Sequence, residues 1–120
     1  MILIVDDHHD SGAVLARLLK ACGYDAIAVT SGKAALSLLP KARPSLVILD
    51  KSMPELSGLD VLRAMRSDAS LASVPVILYS ADDHPADVVE AKRLGAQDYL
   101  VKGITPWDVV CSTVRRYANA

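Results

Sequence analysis

Polar residues that could take part in chemistry stand at the ends of four apolar runs in the sequence. Asp6 and Asp7 follow Ile2–Val5, Asp50 follows Leu46–Leu49, Ser80 follows Val76–Tyr79, and Lys102 follows Tyr99–Val101. Runs without polar alternation are typical of strands buried on both faces, as in parallel sheets covered by helices. The carboxyl ends of parallel strands meet at one edge, where open α/β sheets bind their ligands. We therefore expect these five side chains to form one site.

The residue types at this edge indicate phosphoryl chemistry assisted by a metal ion. Three carboxylates that lie close together repel one another and raise their own pKa values unless a cation joins them. Mg²⁺ suits the set, because it favours one or two carboxylates, keeps several waters and accepts phosphate oxygens as further ligands. Lys102 then marks the position of an anion, and the Ser80 hydroxyl can donate to a phosphoryl oxygen. Asp50, the central acid, is our predicted nucleophile, and its attack would give an acyl phosphate.

Each of these residues also has an ordinary structural explanation. An Asp that closes a strand is usually a turn former, and Ser80 or Lys102 alone is commonly a strand-end hydrogen bonder or an exposed tip. It is the combination at one sheet edge that favours a site. His8 and His9 stand beside the acids, but Mg²⁺ sites use oxygen ligands, so we interpret both histidines as solvent-facing.

The remaining pattern predicts an α/β fold. Apolar residues at helical spacing indicate five helices between and after the strands, and Ala26–Val29 supplies the fifth strand. Helix 1 starts at Asp10 or Ser11 and stops at Gly23, and helix 2 is capped by Ser31 and ended by Pro40 and Pro44. Helix 3 includes Leu59 to Met65, and helix 4 has Pro85 in its first turn and stops at Gly95. Helix 5 is capped by Thr105 and runs nearly to Ala120. Such alternation predicts a mostly parallel sheet covered by helices on both faces, in one domain over residues 1–120.

Composition narrows the class of protein. The formal net charge is -1, with acids and bases mixed along the chain, so no basic face indicates direct nucleic-acid binding. No apolar run approaches the ~20 residues of a membrane span, and no charged segment precedes Ile2, so we expect a cytoplasmic protein. Cys22 and Cys111 fall on the apolar stripes of helices 1 and 5. We interpret both as free, buried cysteines rather than as a redox or disulfide pair.

The sequence resembles the receiver domain of two-component response regulators over essentially its whole length. The resemblance is carried by Val5-Asp6-Asp7, by Asp50 with Met53-Pro54 and Gly58, by Ser80-Ala81, and by Asp98-Tyr99-Leu100 with Lys102. It implies a CheY-like, flavodoxin-like fold, in which the doubly wound sheet has the strand order 2-1-3-4-5. The alternation of elements would not fix that order by itself.

The resemblance implies a role for each matching position at the acidic site. Asp50 would accept a phosphoryl group from a phosphohistidine on a sensor histidine kinase or a histidine phosphotransfer protein, and Lys102 would pair with that group. Mg²⁺ would be held by Asp6, Asp7 and Asp50 together with the backbone carbonyl of Ser52. Such a protein is a signalling module that promotes only its own phosphorylation and dephosphorylation.

The resemblance also implies a conformational switch. The Ser80 hydroxyl would move toward the phosphoryl group and the Tyr99 ring would turn inward behind it. This pair would change the surface formed by helix 4, strand 5 and helix 5, where a downstream output domain or protein binds.

Two positions depart from the expected pattern. The family usually has a proline after the lysine, often with a cis bond, whereas Gly103 follows Lys102 here. A cis bond before a residue other than proline costs about 2.5–4 kcal/mol, so we predict a trans bond and a more mobile loop. Trp107, the single tryptophan, could pack inward or present a contact to a partner, and we expect it to pack inward.

Two other functions stay open at this point. One is a receiver-like interaction domain that works without phosphorylation, against which the full set of site residues argues. The other is a phosphohydrolase with an Asp nucleophile, but such enzymes of the haloacid dehalogenase type carry a second acid two residues later, where Ser52 stands. The sequence names no cognate kinase, signal or output, and it does not distinguish a stand-alone receiver from part of a longer regulator or hybrid kinase.

Association of two copies on phosphorylation also stays open. Charged residues near the predicted output surface could support a homodimer, although exposed helix charges are usually only solvated. They are Lys92, Arg93, Asp98, Arg115 and Arg116.

Overall fold

The computed structural model describes residues 1–118 of the 120-residue chain, so the predicted end of helix 5 near Ala120 lies outside the described residues. Five strands alternate with five helices, as predicted. The strands are Ile2–Val5 (β1), Ala26–Val29 (β2), Leu46–Leu49 (β3), Val76–Ser80 (β4) and Asp98–Val101 (β5). The helices are His9–Ala21 (α1), Gly32–Ala42 (α2), Gly58–Ser67 (α3), Pro85–Arg93 (α4) and Trp107–Ala118 (α5).

The strands form one parallel sheet in the order β2-β1-β3-β4-β5. This is the doubly wound α/β fold that the resemblance implied, so the predicted fold class is confirmed. In the register of the sheet, Val5 pairs with Leu49 and Ser80 pairs with Val101. The strand order reverses between β1 and β3, and such a switch point is where open parallel sheets bind ligands at their carboxyl ends.

Helices cover both faces of the sheet because successive strand residues point to opposite sides. On one face, Leu15 and Leu19 of α1 and Val110 and Val114 of α5 pack against the side chains of the strands. Helices α2, α3 and α4 cover the other face through an equally buried set: Ala35, Leu39, Val61, Leu62, Met65 and Ala91. The central strands β1, β3 and β4 therefore have no solvent-facing side, which explains why their sequences lack alternation.

Two helix starts differ from the predicted ones. Helix α1 begins at His9 rather than at Asp10 or Ser11, because the Asp6 carboxylate accepts the His8 N–H at 2.9 Å and turns the chain directly into the helix. The hydroxyl of Thr105 does not cap α5. It accepts the N–H of Val101 at 2.9 Å and so closes the turn that leaves β5.

The end of α2 was also predicted wrongly, because Pro40 does not terminate the helix. The helix continues to Ala42, and Arg43 then takes a left-handed conformation with φ 44°. The missing N–H of Pro40 removes one bond, to the carbonyl of Leu36, in the last turn of the helix, where that loss is tolerated. The predicted cap at Ser31 is confirmed by its bond from Ala34 N–H at 3.0 Å.

The two cysteines form a disulfide in the structure, so the prediction of free, buried cysteines was wrong. Cys22 follows the last turn of α1 and Cys111 lies in α5, with their Cα atoms 6.3 Å apart and both side chains only partly buried. They are 89 residues apart in sequence. They meet because α1 and α5 cover the same face of the sheet, which spacing along the chain does not reveal.

Every helix within residues 1–118 is too short or too polar to cross a membrane.

Candidate functional site

Side chains from three strand ends meet at the carboxyl edge of the sheet, beside the switch point. Asp6 and Asp7 leave β1, Asp50 leaves β3, and Lys102 reaches across from the end of β5. The Lys102 Nζ lies 2.7 Å from Asp6 Oδ2 and 3.5 Å from Asp50 Oδ2. Asp6 is only 4% exposed and Asp50 only 6%. The structure thus brings together the three acids and the lysine that the sequence singled out.

Asp6, Asp50 and Lys102 change one another's pKa values. Burial raises the pKa of Asp50, and the Asp6 charge adds to that effect while Lys102 opposes it. Burial also disfavours the charged form of Asp6, but hydrogen bonds from Lys102 and the His8 N–H outweigh it and lower the pKa of Asp6. Lys102 therefore neutralises Asp6 more fully than Asp50. One negative charge in a buried position is left incompletely compensated, which suits a site that receives a cation.

The donor set fits a hard divalent cation. Oxygen atoms of Asp6, Asp7 and Asp50 and a ring nitrogen of His8 all lie within 4.8 Å of one another. Asp7 Oδ1 is buried, and no hydrogen bond reaches it within the described part of the chain. A buried carboxylate oxygen without a partner is costly, and an ion bound beside it would remove that cost. Ser52 contributes an N–H, 3.4 Å from Asp50 Oδ1, and the role of its carbonyl stays a prediction.

The loop after Asp50 is held in place by Gly58. The N–H of Gly58 donates to the Lys51 carbonyl at 2.8 Å, which folds the loop back onto the end of β3. A Cβ atom at residue 58 would lie 2.2 Å from the Asp50 carbonyl oxygen. Only glycine permits this close approach, so the glycine that the sequence pattern included has a physical reason.

The predicted switch residues lie next to this acidic site. Ser80 is the last residue of β4 and is 1% exposed. The Tyr99 hydroxyl donates to the carbonyl of Asp82 at 2.9 Å, in the loop between β4 and α4. Burial raises the pKa of Tyr99, and the Ser80 hydroxyl opposes that shift. Ser80, Tyr99 and the loop before α4 thus form one contact network.

Comparison with known proteins identifies the family. A family model described as the response regulator receiver domain matches residues 2–112. The chain belongs to the response regulator receiver domain family. The receiver is 36% identical to the two-component response regulator ORR3 of Oryza sativa subsp. indica, over 94% of this chain and 88% of that protein. It is 35% identical to the DNA-binding response regulator MtrA of Mycobacterium leprae, over 91% of this chain and 47% of that protein.

Solved structures of receivers superpose closely on this chain. The chemotaxis protein CheY4 of Vibrio cholerae gives a TM-score of 0.89 at 27% identity, with 97% of this chain and 96% of that chain covered. The signal receiver domain of a signal transduction histidine kinase from Syntrophus aciditrophicus gives 0.88 at 34% identity, with 98% and 89% covered. Receiver domains of this family are signalling modules that work with histidine kinases and output domains.

Lys51, the residue directly after the central acid of the receiver, makes contacts that the sequence did not predict. Its side chain is only 12% exposed, and its Nζ lies 2.6 Å from Asp82 Oδ1 and 2.8 Å from Asp87 Oδ2. Burial lowers the pKa of the ammonium, but the bonds to these two aspartates outweigh burial and raise it. Lys51 therefore ties the loop after β3 to the loop before α4 and to the first turn of that helix. A lysine after a strand gives no signal of such a contact in the sequence.

Two further expectations concern the loop after Lys102. The Lys102–Gly103 bond is trans, as predicted, and Gly103 has φ +75°. The prediction that Trp107 packs inward was wrong, because the residue is 45% exposed. It lines a groove of about 280 Å³ together with Val14 of α1, Tyr79 and Lys102. The tryptophan of the receiver is therefore placed beside the acidic site.

Proposed function

We propose that this receiver is the phosphoacceptor of a two-component phosphorelay and that Asp50 accepts the phosphoryl group. The proposal rests on one observation above all: Asp50 lies at the switch point with two further acids and an ammonium within a few ångströms. The donor is a phosphohistidine on a sensor histidine kinase or a histidine phosphotransfer protein. The family of the chain and the residues of its acidic site support this proposal.

The transfer can be written with the groups of the chain. A carboxylate oxygen of Asp50 attacks phosphorus, the phosphorus–nitrogen bond of the donor breaks, and the electron pair stays on the imidazole, which takes a proton from solvent. The product is an acyl phosphate on Asp50. Lys102, which now bridges Asp6 and Asp50, offers its ammonium to the oxygens of the phosphoryl group.

The acids also provide the place for the metal ion. Asp6, Asp7 and Asp50, with the backbone carbonyl of Ser52, would hold Mg²⁺. When bound, Mg²⁺ neutralises charge on the transferring phosphoryl group. Without it, the charges of three carboxylates and of the phosphoryl group would meet beside Lys102.

Ser80 and Tyr99 would transmit phosphorylation of Asp50 to the surface that binds a downstream partner. A phosphoryl group on Asp50 adds acceptor oxygens that the Ser80 hydroxyl can bond only in one arrangement, so phosphorylation favours that arrangement. The Tyr99 ring then occupies the space beside Ser80, and the surface of α4, β5 and α5 changes for an output domain, a partner protein or a second copy. The receiver acts as a single domain over residues 1–120 and turns over no other substrate.

The direct test is phosphorylation with a small donor. Incubation with Mg²⁺ and acetyl phosphate should add one phosphoryl group to the intact mass of the wild type, and EDTA or Asp50→Asn should prevent it. Asp25→Asn is the matched control, because Asp25 is exposed and lies beside Ile2, at the opposite edge of the sheet. Equal labelling of wild type and Asp50→Asn would refute the proposal.

The same experiment separates the other functions. Steady hydrolysis of a phosphomonoester that Asp50→Asn abolishes would indicate a phosphohydrolase instead. A wild type that gains no mass from acetyl phosphate or from a phosphohistidine donor would indicate an interaction domain that works without phosphorylation.

A further inference from the structure

His8 is placed at the acidic site although the sequence gave it no role there. Its side chain is 75% exposed, yet its Nδ1 lies 3.2 Å from Asp7 Oδ1 and 3.6 Å from Asp6 Oδ1. The neighbouring His9 is 85% exposed and stands beside Asp10, at 3.6 Å. The expectation that both histidines face solvent therefore describes their exposure, but only His8 faces the acids.

The backbone explains why His8 points this way. His8 is the N-cap residue of α1 and has an extended conformation, but its side chain makes no capping hydrogen bond to the helix. Its N–H is held by Asp6 Oδ1 at 2.9 Å. The imidazole is thus fixed at its base beside the two carboxylates and stays accessible from solvent.

The contact between His8 and Asp7 has the arrangement of two ligands of one ion. His8 Nδ1 and Asp7 Oδ1 are 3.2 Å apart, so they form an ion pair when the imidazole is protonated, and no hydrogen bond from the described residues reaches Asp7 Oδ1. The neutral imidazole at mildly alkaline pH leaves both atoms free to bind an ion. Two atoms that bind one metal ion at 2.0–2.2 Å are about 3 Å from each other. An ion between them would satisfy both.

We propose that His8 is a ligand for transition-metal ions at this site and gives it a preference that the three acids alone would not have. Mg²⁺ takes oxygen ligands, whereas imidazole nitrogen favours Ni²⁺, Zn²⁺ and similar ions. Such an ion would use His8 and Asp7 and would compete with Mg²⁺. On the basis of the proposed function, its binding would make phosphorylation of Asp50 sensitive to transition metals.

The test measures metal binding directly, with untagged protein at mildly alkaline pH. Calorimetric titration with Ni²⁺ should show a Kd that rises by about tenfold or more in His8→Asn. Affinity for Mg²⁺ should stay the same, because Mg²⁺ does not need the imidazole. Excess Mg²⁺ should displace Ni²⁺ from the wild type, and Asp7→Asn should weaken both ions.

Control variants separate His8 from the other histidines of the chain, His9 and His84. The double variant His9→Asn, His84→Asn should bind Ni²⁺ as the wild type does. His8→Asn should keep the wild-type Tm without metal, since the residue is exposed and asparagine is a favourable N-cap. A Ni²⁺ affinity that falls in the double variant or is unchanged in His8→Asn would overturn the proposal.

The proposal and the proposed function can fail separately. If His8→Asn loses Ni²⁺ affinity while acetyl phosphate labels no residue, the metal ligand is supported and the phosphoacceptor function is wrong. If Asp50 is labelled but the Kd for Ni²⁺ is unchanged in His8→Asn, the proposed function is supported and the ligand proposal is overturned.

Discussion

Asp50 carries a negative charge that its neighbours only partly neutralise. Its pKa is raised by burial, with Lys102 opposing and Asp6 adding to the shift. A carboxylate whose pKa is higher in the folded state than the unfolded value of about 3.8 opposes folding when it is ionised. This destabilisation is complete above the folded pKa and disappears as pH falls below the unfolded value.

Asp50→Asn should therefore stabilise the metal-free protein at neutral pH, by about 1 kcal/mol as for an ordinary single substitution. The gain should shrink as pH falls and the wild-type carboxyl becomes protonated. Thermal unfolding in EDTA across the acid range measures the difference, with Asp25→Asn as reference. A gain that grows toward low pH would contradict the sign of the shift.

Gly103 stands where the family pattern has proline, and its φ of +75° gives a reason. Proline is fixed near φ −65° and cannot adopt that conformation. Gly103→Ala should cost about 1–2 kcal/mol, because a Cβ atom at this position meets no other atom and only the backbone conformation is penalised. Gly103→Pro should cost more and slow phosphorylation, since the loop that carries Lys102 must rearrange. Chemical unfolding checks the first effect and acetyl phosphate labelling the second.

Gly23→Ala provides the matched control, since Gly23 also has a positive φ and open space around its Cβ position. It should lose similar stability but phosphorylate at the wild-type rate. Equal rates for Gly103→Pro and the wild type would show that this loop does not position Lys102.

Among the elements, α4 is attached to the acidic site through Lys51. Lys51→Met removes the ammonium and keeps a similar apolar stem, so Asp82 and Asp87 lose their shared partner. We expect the first turn of α4 to open more often. Hydrogen exchange at the amides of Asp87 and Val88, which donate to His84, should become several-fold faster. Lys33→Met, at an exposed position of α2, should leave these amides unchanged.

The disulfide joins α1 and α5, which cover the same face. A cross-link over 89 residues restricts the unfolded chain, and removing such a link costs about 2–5 kcal/mol. The oxidised wild type should therefore lose Tm on reduction with dithiothreitol. The double variant Cys22→Ser, Cys111→Ser should show the same Tm with and without reductant. A wild type that is insensitive to reductant would mean that the bond is not formed in the purified protein.

For the whole molecule, the acidic site links metal binding to global stability. An ion that binds only the folded chain stabilises it by about 2.7 kcal/mol when its concentration is 100 times Kd. Mg²⁺ should therefore raise the Tm of the wild type in a concentration-dependent manner, and Asp7→Asn should reduce the effect. An equal rise for both would show that Mg²⁺ acts elsewhere.

The predictions that succeeded depend on short-range sequence features, namely runs of apolar residues and single residues that favour a helix start. Ile2–Val5 and Leu46–Leu49 gave buried strands because alternation is absent, and Ser31 and Pro85 marked helix starts through their own backbone chemistry. The predictions that failed at Thr105 and Pro40 depended on competition between local preferences, whereas the cysteines were predicted wrongly because Cys22 and Cys111 meet only in the tertiary structure. The Thr105 hydroxyl accepts the N–H of Val101 and does not cap α5. Helix α2 tolerates Pro40 because only one hydrogen bond of its last turn is lost.

The sequence alone determined which strands end in acids, a serine or a lysine. Each buried strand is a run of consecutive apolar residues, and the polar residue directly follows that run. It also determined the α/β class, but it determined the strand order only together with the family resemblance, since alternation does not fix that order. The tertiary structure decided which side chains meet: Lys51 with Asp82 and Asp87, and Cys22 with Cys111. It also decided that the ring of His8 turns toward its neighbour Asp7. These contacts join residues through side-chain direction and helix placement, and neither quantity is encoded by spacing along the chain.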